Sequence, residues 1–149
     1  MEWYIKKFNE LTNEEIYEIL KRRVEVFVVE QNCPYLECDD KDQEAIHFFL
    51  KDNNCIIAYL RVLPQGVTYD EISIGRVLVI EDYRGKGIVN ELMHKAIRYI
   101  ESNFGESNIR ISAQEYLLAF YESLGFQVIS DVYLEDGIPH LEMLYLQSH

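Results

Sequence analysis

The sequence predicts an α+β fold, a mixed and mostly antiparallel central sheet with helices on both faces. Three observations predict it. A capped amphipathic helix near the N-terminus is followed by three apolar, β-rich runs separated by turn-forming residues. A second, strongly periodic helix starts directly after two glycines and leads into another strand. A short helix, a strand, a tight turn and a last strand close the chain. At 149 residues, of which 48% are hydrophobic, the expectation is a single domain over 1–149 that needs no disulfide or metal to fold.

Glu2 to Phe8 reads as the first strand. Thr12-Asn13-Glu14-Glu15 is a capping box, with Leu11 and Ile16 at the positions of a hydrophobic staple. The helix that starts there has a predicted buried stripe of Ile16, Ile19, Leu20, the stem of Arg23, Val24 and Phe27. Gln31 to Glu44 contains Pro34 and the acids Asp39, Asp40, Asp42 and Glu44, and reads as a solvated loop that can also attract a cation. Ala45–Lys51 and Cys55–Leu63 flank Asp52-Asn53-Asn54 as a hairpin. Ile72–Ile80 is a further strand, and Ile88–Phe104 a helix whose apolar residues follow a 3.6-residue period. Asn108–Ala113 is a strand and Tyr116–Leu124 a helix with Gly125 at its C′ position. Phe126–Val132 and His140–Leu146 are strands around an Asp136-Gly137 turn, and the hairpin from Val132 to Leu146 offers an edge to a second copy, so a homodimer is expected.

The formal net charge is -12. Such a surface repels phosphate backbones and anionic lipid, so no nucleic acid and no membrane is expected as partner. Amines, polyamines and basic peptides suit it better. No signal peptide is visible at the N-terminus, and no stretch approaches the roughly 20 apolar residues of a membrane span. Cys33, Cys38 and Cys55 are an odd set that matches no common zinc spacing. Reduced thiols in the cytoplasm and no metal are expected.

The chemistry points to Val77-Leu78-Val79-Ile80-Glu81-Asp82-Tyr83-Arg84-Gly85-Lys86-Gly87-Ile88-Val89, where a strand enters a loop with two glycines that opens a helix. Glycine accepts positive φ and close ligand approach. The first N–H groups of the helix are unpaired and lie at the positive end of its dipole. Arg84 and Lys86 add positive charge, so a pyrophosphate is the natural ligand. The Walker sequence and the three-glycine dinucleotide fingerprint are both absent.

Arg84 to Val89, preceded by Tyr83, resembles the Arg/Gln-x-x-Gly-x-Gly/Ala acetyl-CoA loop of the GNAT (Gcn5-related N-acetyltransferase) superfamily, with Val89 where the family usually has Gly or Ala. Ala119-Phe120-Tyr121-Glu122-Ser123-Leu124-Gly125-Phe126 is similar to its FYxxxGF segment. Phe27 to Tyr35, Ile74 to Val77, Ala113-Gln114 and Glu135 to His140 resemble the ElaA-like branch. The resemblance implies a GNAT-like sheet, splayed between the strand ending at Ile80 and the strand at 108–113. It implies that acetyl-CoA lies in the gap, its pantetheine along Val77, Leu78 and Val79. A backbone N–H of Leu78 or Val79 would then hold the thioester oxygen, and the amides of Gly85, Lys86, Gly87, Ile88, Val89 and Asn90 the pyrophosphate. It implies that the Tyr121 phenol protonates the departing thiolate.

The acceptor would be an amine of a small molecule or peptide, neutral when it attacks. Glu30, Glu71 and His140 are the candidate bases, and His47 and Gln114 candidate acceptor contacts. The competing readings are a non-catalytic acyl-CoA binder or sensor on the same fold, and an interaction module that uses the acidic face.

Overall fold

The computed structural model describes residues 1–105 and 108–146. Its elements are β1 (Glu2–Lys7), α1 (Asn13–Arg23), β2 (Ile46–Asp52), β3 (Cys55–Leu63), β4 (Ile72–Val79), α2 (Ile88–Phe104), β5 (Ile109–Gln114), α3 (Leu118–Ser123), β6 (Phe126–Val128), β7 (Tyr133–Glu135) and β8 (Ile138–Tyr145). The strands form one sheet in the order β1-β2-β3-β4-β5-β8-β6, with β7 also on β8. All described pairings are antiparallel except β4 with β5, which is parallel.

β2 and β3 are buried nearly end to end because helices cover both their faces. On one face α2 sets Ile88, Leu92, Met93, Ala96, Ile97 and Ile100 against Phe48, Leu60 and Ile74. On the other, Ile19 and Val26 pack with Phe49, Ile56, Tyr59 and Leu78. The capping box forms as the sequence predicts. The Glu15 amide donates to Thr12 Oγ1 at 3.1 Å and the Thr12 amide to Glu15 Oε1 at 2.9 Å. Asn53 and Asn54 turn the β2–β3 hairpin with φ of 50° and 64°, a conformation asparagine tolerates.

Three predicted elements differ. The first helix does not run on regularly beyond Arg23, because Val24–Glu30 forms a wider π-type turn in which the Cys33 amide reaches Val28 O at 2.9 Å. The widening carries Val24 out to 40% exposure and seats Val26 instead. Tyr116–Leu124 resolves into a 3₁₀ turn over Glu115–Leu117 and the short α3. The strand from Phe126 stops at Val128, and Tyr133–Glu135 pairs separately with β8.

Arg23 departs further from expectation. Its guanidinium is buried with its stem, at 0% exposure, because acids from the 31–44 segment come to meet it. Arg23 donates through Nε to Glu37 and through Nη1 to Asp42 Oδ1 at 2.6 Å. Arg61 holds Asp39 and Asp42, and Arg76 holds Glu37. Asp39 and Asp42 are therefore ion-paired and half-buried, not solvated.

Candidate functional site

β4 and β5 pair only at Ile72 with Ile109 and Ser73 with Arg110. Beyond those two pairs the strands separate, and a cleft of about 840 Å³ opens between them. One wall is Ile74 to Val79 of β4, the other Ile111, Ser112 and Gln114 of β5. The splay therefore lies where the resemblance places it.

A bulge shapes the β4 wall. Tyr59 opposes Leu78 while Arg61 opposes Gly75, so β4 has one residue more than β3 over this stretch. Arg76 takes up the excess with φ 54°. Its side chain holds that conformation. Nε donates to Glu37 Oε1 at 2.9 Å and the guanidinium lies 5.6 Å from the Tyr35 ring centre. Past the bulge, the Ile80 amide donates to Ile57 O at 3.0 Å on the β3 side. Backbone groups alternate sides along a strand, so the N–H and C=O of Val79 face the cleft.

The loop after β4 carries Gly85 and Gly87 with φ of 78° and 76°, and Gly87 is the N-cap of α2. A Cβ at either would meet nothing within 4 Å, so conformation and not crowding demands glycine there. The first backbone bond of α2 runs from the Glu91 amide to Gly87 O, leaving the amides before it for a ligand. Tyr83 ties this loop to the β2–β3 hairpin by donating to Asp52 Oδ2 at 2.6 Å. Arg84 spans the cleft mouth, Nε donating to Val79 O at 2.8 Å and Nη2 pairing with Glu30 Oε2 at 2.8 Å. Val89 lines the cleft and packs partly on the core. Lys86 lies over the Tyr83 ring and, with Asn90, is outside the cleft lining.

Tyr121, from α3, lines the same cleft. Its ring packs edge-on against Phe120 and Phe126, with centroids 5.2 and 5.9 Å away. Burial, helped by nearby Tyr116, pushes the phenol up to about 12, so it keeps its proton at neutral pH. His140, Gln114 and Glu30 also line the cleft. Gln114 donates to Gln31 Oε1 at 3.3 Å, joining β5 to the end of the π-type turn.

Two expected site residues lie elsewhere. His47 is on the α1 side of β2, where Nε2 donates to Asp42 O at 2.9 Å and Nδ1 accepts from the Tyr59 hydroxyl at 2.6 Å. Both nitrogens are used, and burial holds the ring below its ordinary pKa, so it is a neutral structural group. Glu71 precedes β4 at the closed end of the splay, outside the cleft lining, and pairs with Arg110 at 3.6 Å. Glu135 was missed. It lines the cleft beside His140, and the register across the Asp136-Gly137 turn is the signal that brings it there. Among the described residues, no three His, Cys, Asp or Glu side chains are placed to hold a metal ion. No helix among them is long and apolar enough to cross a membrane.

Residues 9–146 match the family model described as Acetyltransferase (GNAT) domain. A UPF0039 protein of Schizosaccharomyces pombe is 41% identical over 96% of this chain and 95% of its own. Protein ElaA of Escherichia coli is 37% identical over the same shares, and its crystal structure superposes with a TM-score of 0.91 over 97% of this chain and 99% of that one. The crystal structure of an acyl-CoA N-acyltransferase from Pseudomonas aeruginosa matches with a TM-score of 0.92 and 37% identity, over 97% of this chain and 99% of that one.

Proposed function

The chain belongs to the acetyltransferase (GNAT) domain family, and from that premise we propose that it transfers the acetyl group of acetyl-CoA to the amine of a small molecule or peptide. The observation that carries this reading is the splay. Two strand edges that no longer pair with each other face across the cleft beside a glycine-shaped helix N-terminus, with Tyr121 on the same cleft. The residues fit the donor. The amides after Gly87 and the dipole of α2 suit a pyrophosphate. The open edge of β4 suits the amides of a pantetheine arm.

In this reading the Val79 N–H donates to the thioester oxygen and stabilises the charge that develops there, an effect worth about 3 kcal/mol in such sites. His140 is the base that takes the first proton from the acceptor. The acceptor's nitrogen then bonds to the acetyl carbon and the carbon–sulfur bond breaks. The Tyr121 phenol gives its proton to the leaving sulfur, and the second proton shed by the nitrogen restores the phenol. Arg84 releases Val79 O as the donor enters. Glu30, already paired with Arg84, serves that contact and not as the base.

The reading also carries a cytoplasmic location, no nucleic-acid or membrane partner, and a homodimer joined at the β6–β7 edge, where Ile129, Val132 and Leu134 are exposed. The test is thiol release from acetyl-CoA with a panel of amines. Tyr121→Phe is expected to lower kcat at least about a hundredfold, the low end of general-acid contributions of about 10²–10⁴, while CoA affinity by calorimetry stays within twofold. Binding of acetyl-CoA without turnover of any amine would instead support the second reading, an acyl-CoA sensor, which the Arg84 contact on Val79 O favours.

A further inference from the structure

With a neutral His140 ring, the hairpin of β7 and β8 sets two acceptor atoms against each other. His140, 7% exposed, places Nδ1 2.7 Å from Ile138 O. A carbonyl only accepts, so Nδ1 carries a hydrogen and, in the neutral ring, the lone pair is on Nε2. Nε2 lies 3.2 Å from Glu135 Oε2. The Glu135 side chain is 51% exposed and free to adjust, whereas the imidazole is held. Tyr133 stacks on it with centroids 6.2 Å apart, and the Tyr133 hydroxyl is pinned to Ser112 Oγ at 2.5 Å. A lone pair facing a carboxylate at that distance calls for a positively charged group with several N–H donors. Both residues line the cleft that holds Tyr121 and Val79.

We propose that Glu135 and His140 form the acceptor subsite and select an amine that is protonated in solution, such as an alkylamine, a lysine-like side chain or a polyamine. Glu135 captures the ammonium group. One N–H bond of the ammonium breaks and an Nε2–H bond forms, which leaves the nitrogen its electron pair. The proposal rests on the acyl-transfer reading only for the steps after that proton transfer. The carboxylate thus sorts acceptors by charge, and the imidazole removes the charge that admitted them.

The test has a binding arm and a turnover arm. In the first, the CoA-loaded protein is titrated with n-butylammonium chloride or n-butanol while the His140 ring signals are followed by NMR. A saturable shift with butylammonium and none with butanol is expected, weakened about tenfold or more in Glu135→Gln, as for loss of a charge-assisted hydrogen bond. In the second, Glu135→Gln should raise KM for butylamine about tenfold at a kcat within twofold, and leave KM for acetohydrazide, neutral at the assay pH, unchanged. No shift with butylammonium, an equal shift with butanol, or an unchanged response in Glu135→Gln overturns the subsite. A protein that shows the selective shift but releases no thiol with any amine keeps the subsite and loses acyl transfer. Thiol release with a KM for butylamine that Glu135→Gln leaves unchanged does the reverse.

Discussion

Replacing Arg23 with methionine removes one cation from a buried network and leaves its volume filled. Arg23, Arg61 and Arg76 face Glu37, Asp39 and Asp42, so the six charges cancel. The Arg23→Met protein keeps Arg76 on Glu37 and Arg61 on Asp42, but carries one uncompensated negative charge where Glu37 is 4% and Asp42 13% exposed. Removing one partner of a buried pair costs about 3–5 kcal/mol, a large part of the roughly 5–15 kcal/mol that holds a domain folded. For a chain of this size that is a fall in Tm of about 6–20 °C. Urea unfolding followed by circular dichroism should show a lower midpoint with an unchanged slope. The double variant Arg23→Met with Glu37→Gln should recover at least about 1 kcal/mol, because the orphaned charge is gone. A single variant costing under about 1 kcal/mol, or a double variant no better than the single, would refute the reasoning.

Arg76→Gly should be more stable than Arg76→Ala by about 1 kcal/mol in the same assay, because both lose the Glu37 contact but only alanine strains the φ of 54° at the bulge. Burial raises the Glu15 carboxyl, but the Thr12 amide and the ammonium groups of Lys6 and Lys51 outweigh it and bring it from 4.5 to about 2. A depressed carboxylate stabilises the fold above its unfolded value, so that contribution is present above pH 4.5 and is lost as pH falls towards about 2. Glu15→Gln should flatten the stability profile over that range. Gly87→Ala, at φ 76°, should cost about 1 kcal/mol and weaken CoA binding by calorimetry at least tenfold.

Local signals were legible and distant ones were not. The capping box at Thr12, the asparagine turn at 53–54 and the periodic helix Ile88–Phe104 each depend on residues a few positions apart. The glycine loop and Tyr121 carry motif signals, specific residue types at fixed spacing, and the structure sets both on one cleft. Arg23 looked like a stem-buried cation because its partners lie 14 and 19 residues away on an irregular segment. The face of β2 that carries His47 is set by pairing with β1 and β3. Glu71 sits two residues before the point where the sheet parts, and only the β4–β5 register reveals which side of that point it occupies.

Because β4 and β5 share two residue pairs and then diverge, the sheet has inner borders as well as outer ones. An outer border invites another chain to add itself, which proteins usually blunt with charge, proline or a covering element. The inner borders are guarded by geometry, since they face each other across a slot between covering elements. A slim guest with its own amide groups suits such a slot. Such a guest would bridge the β1–β4 half to the β5–β8 half, and the slowest amide exchange along Val77–Val79 and Ile111–Gln114 is expected only while it is in place.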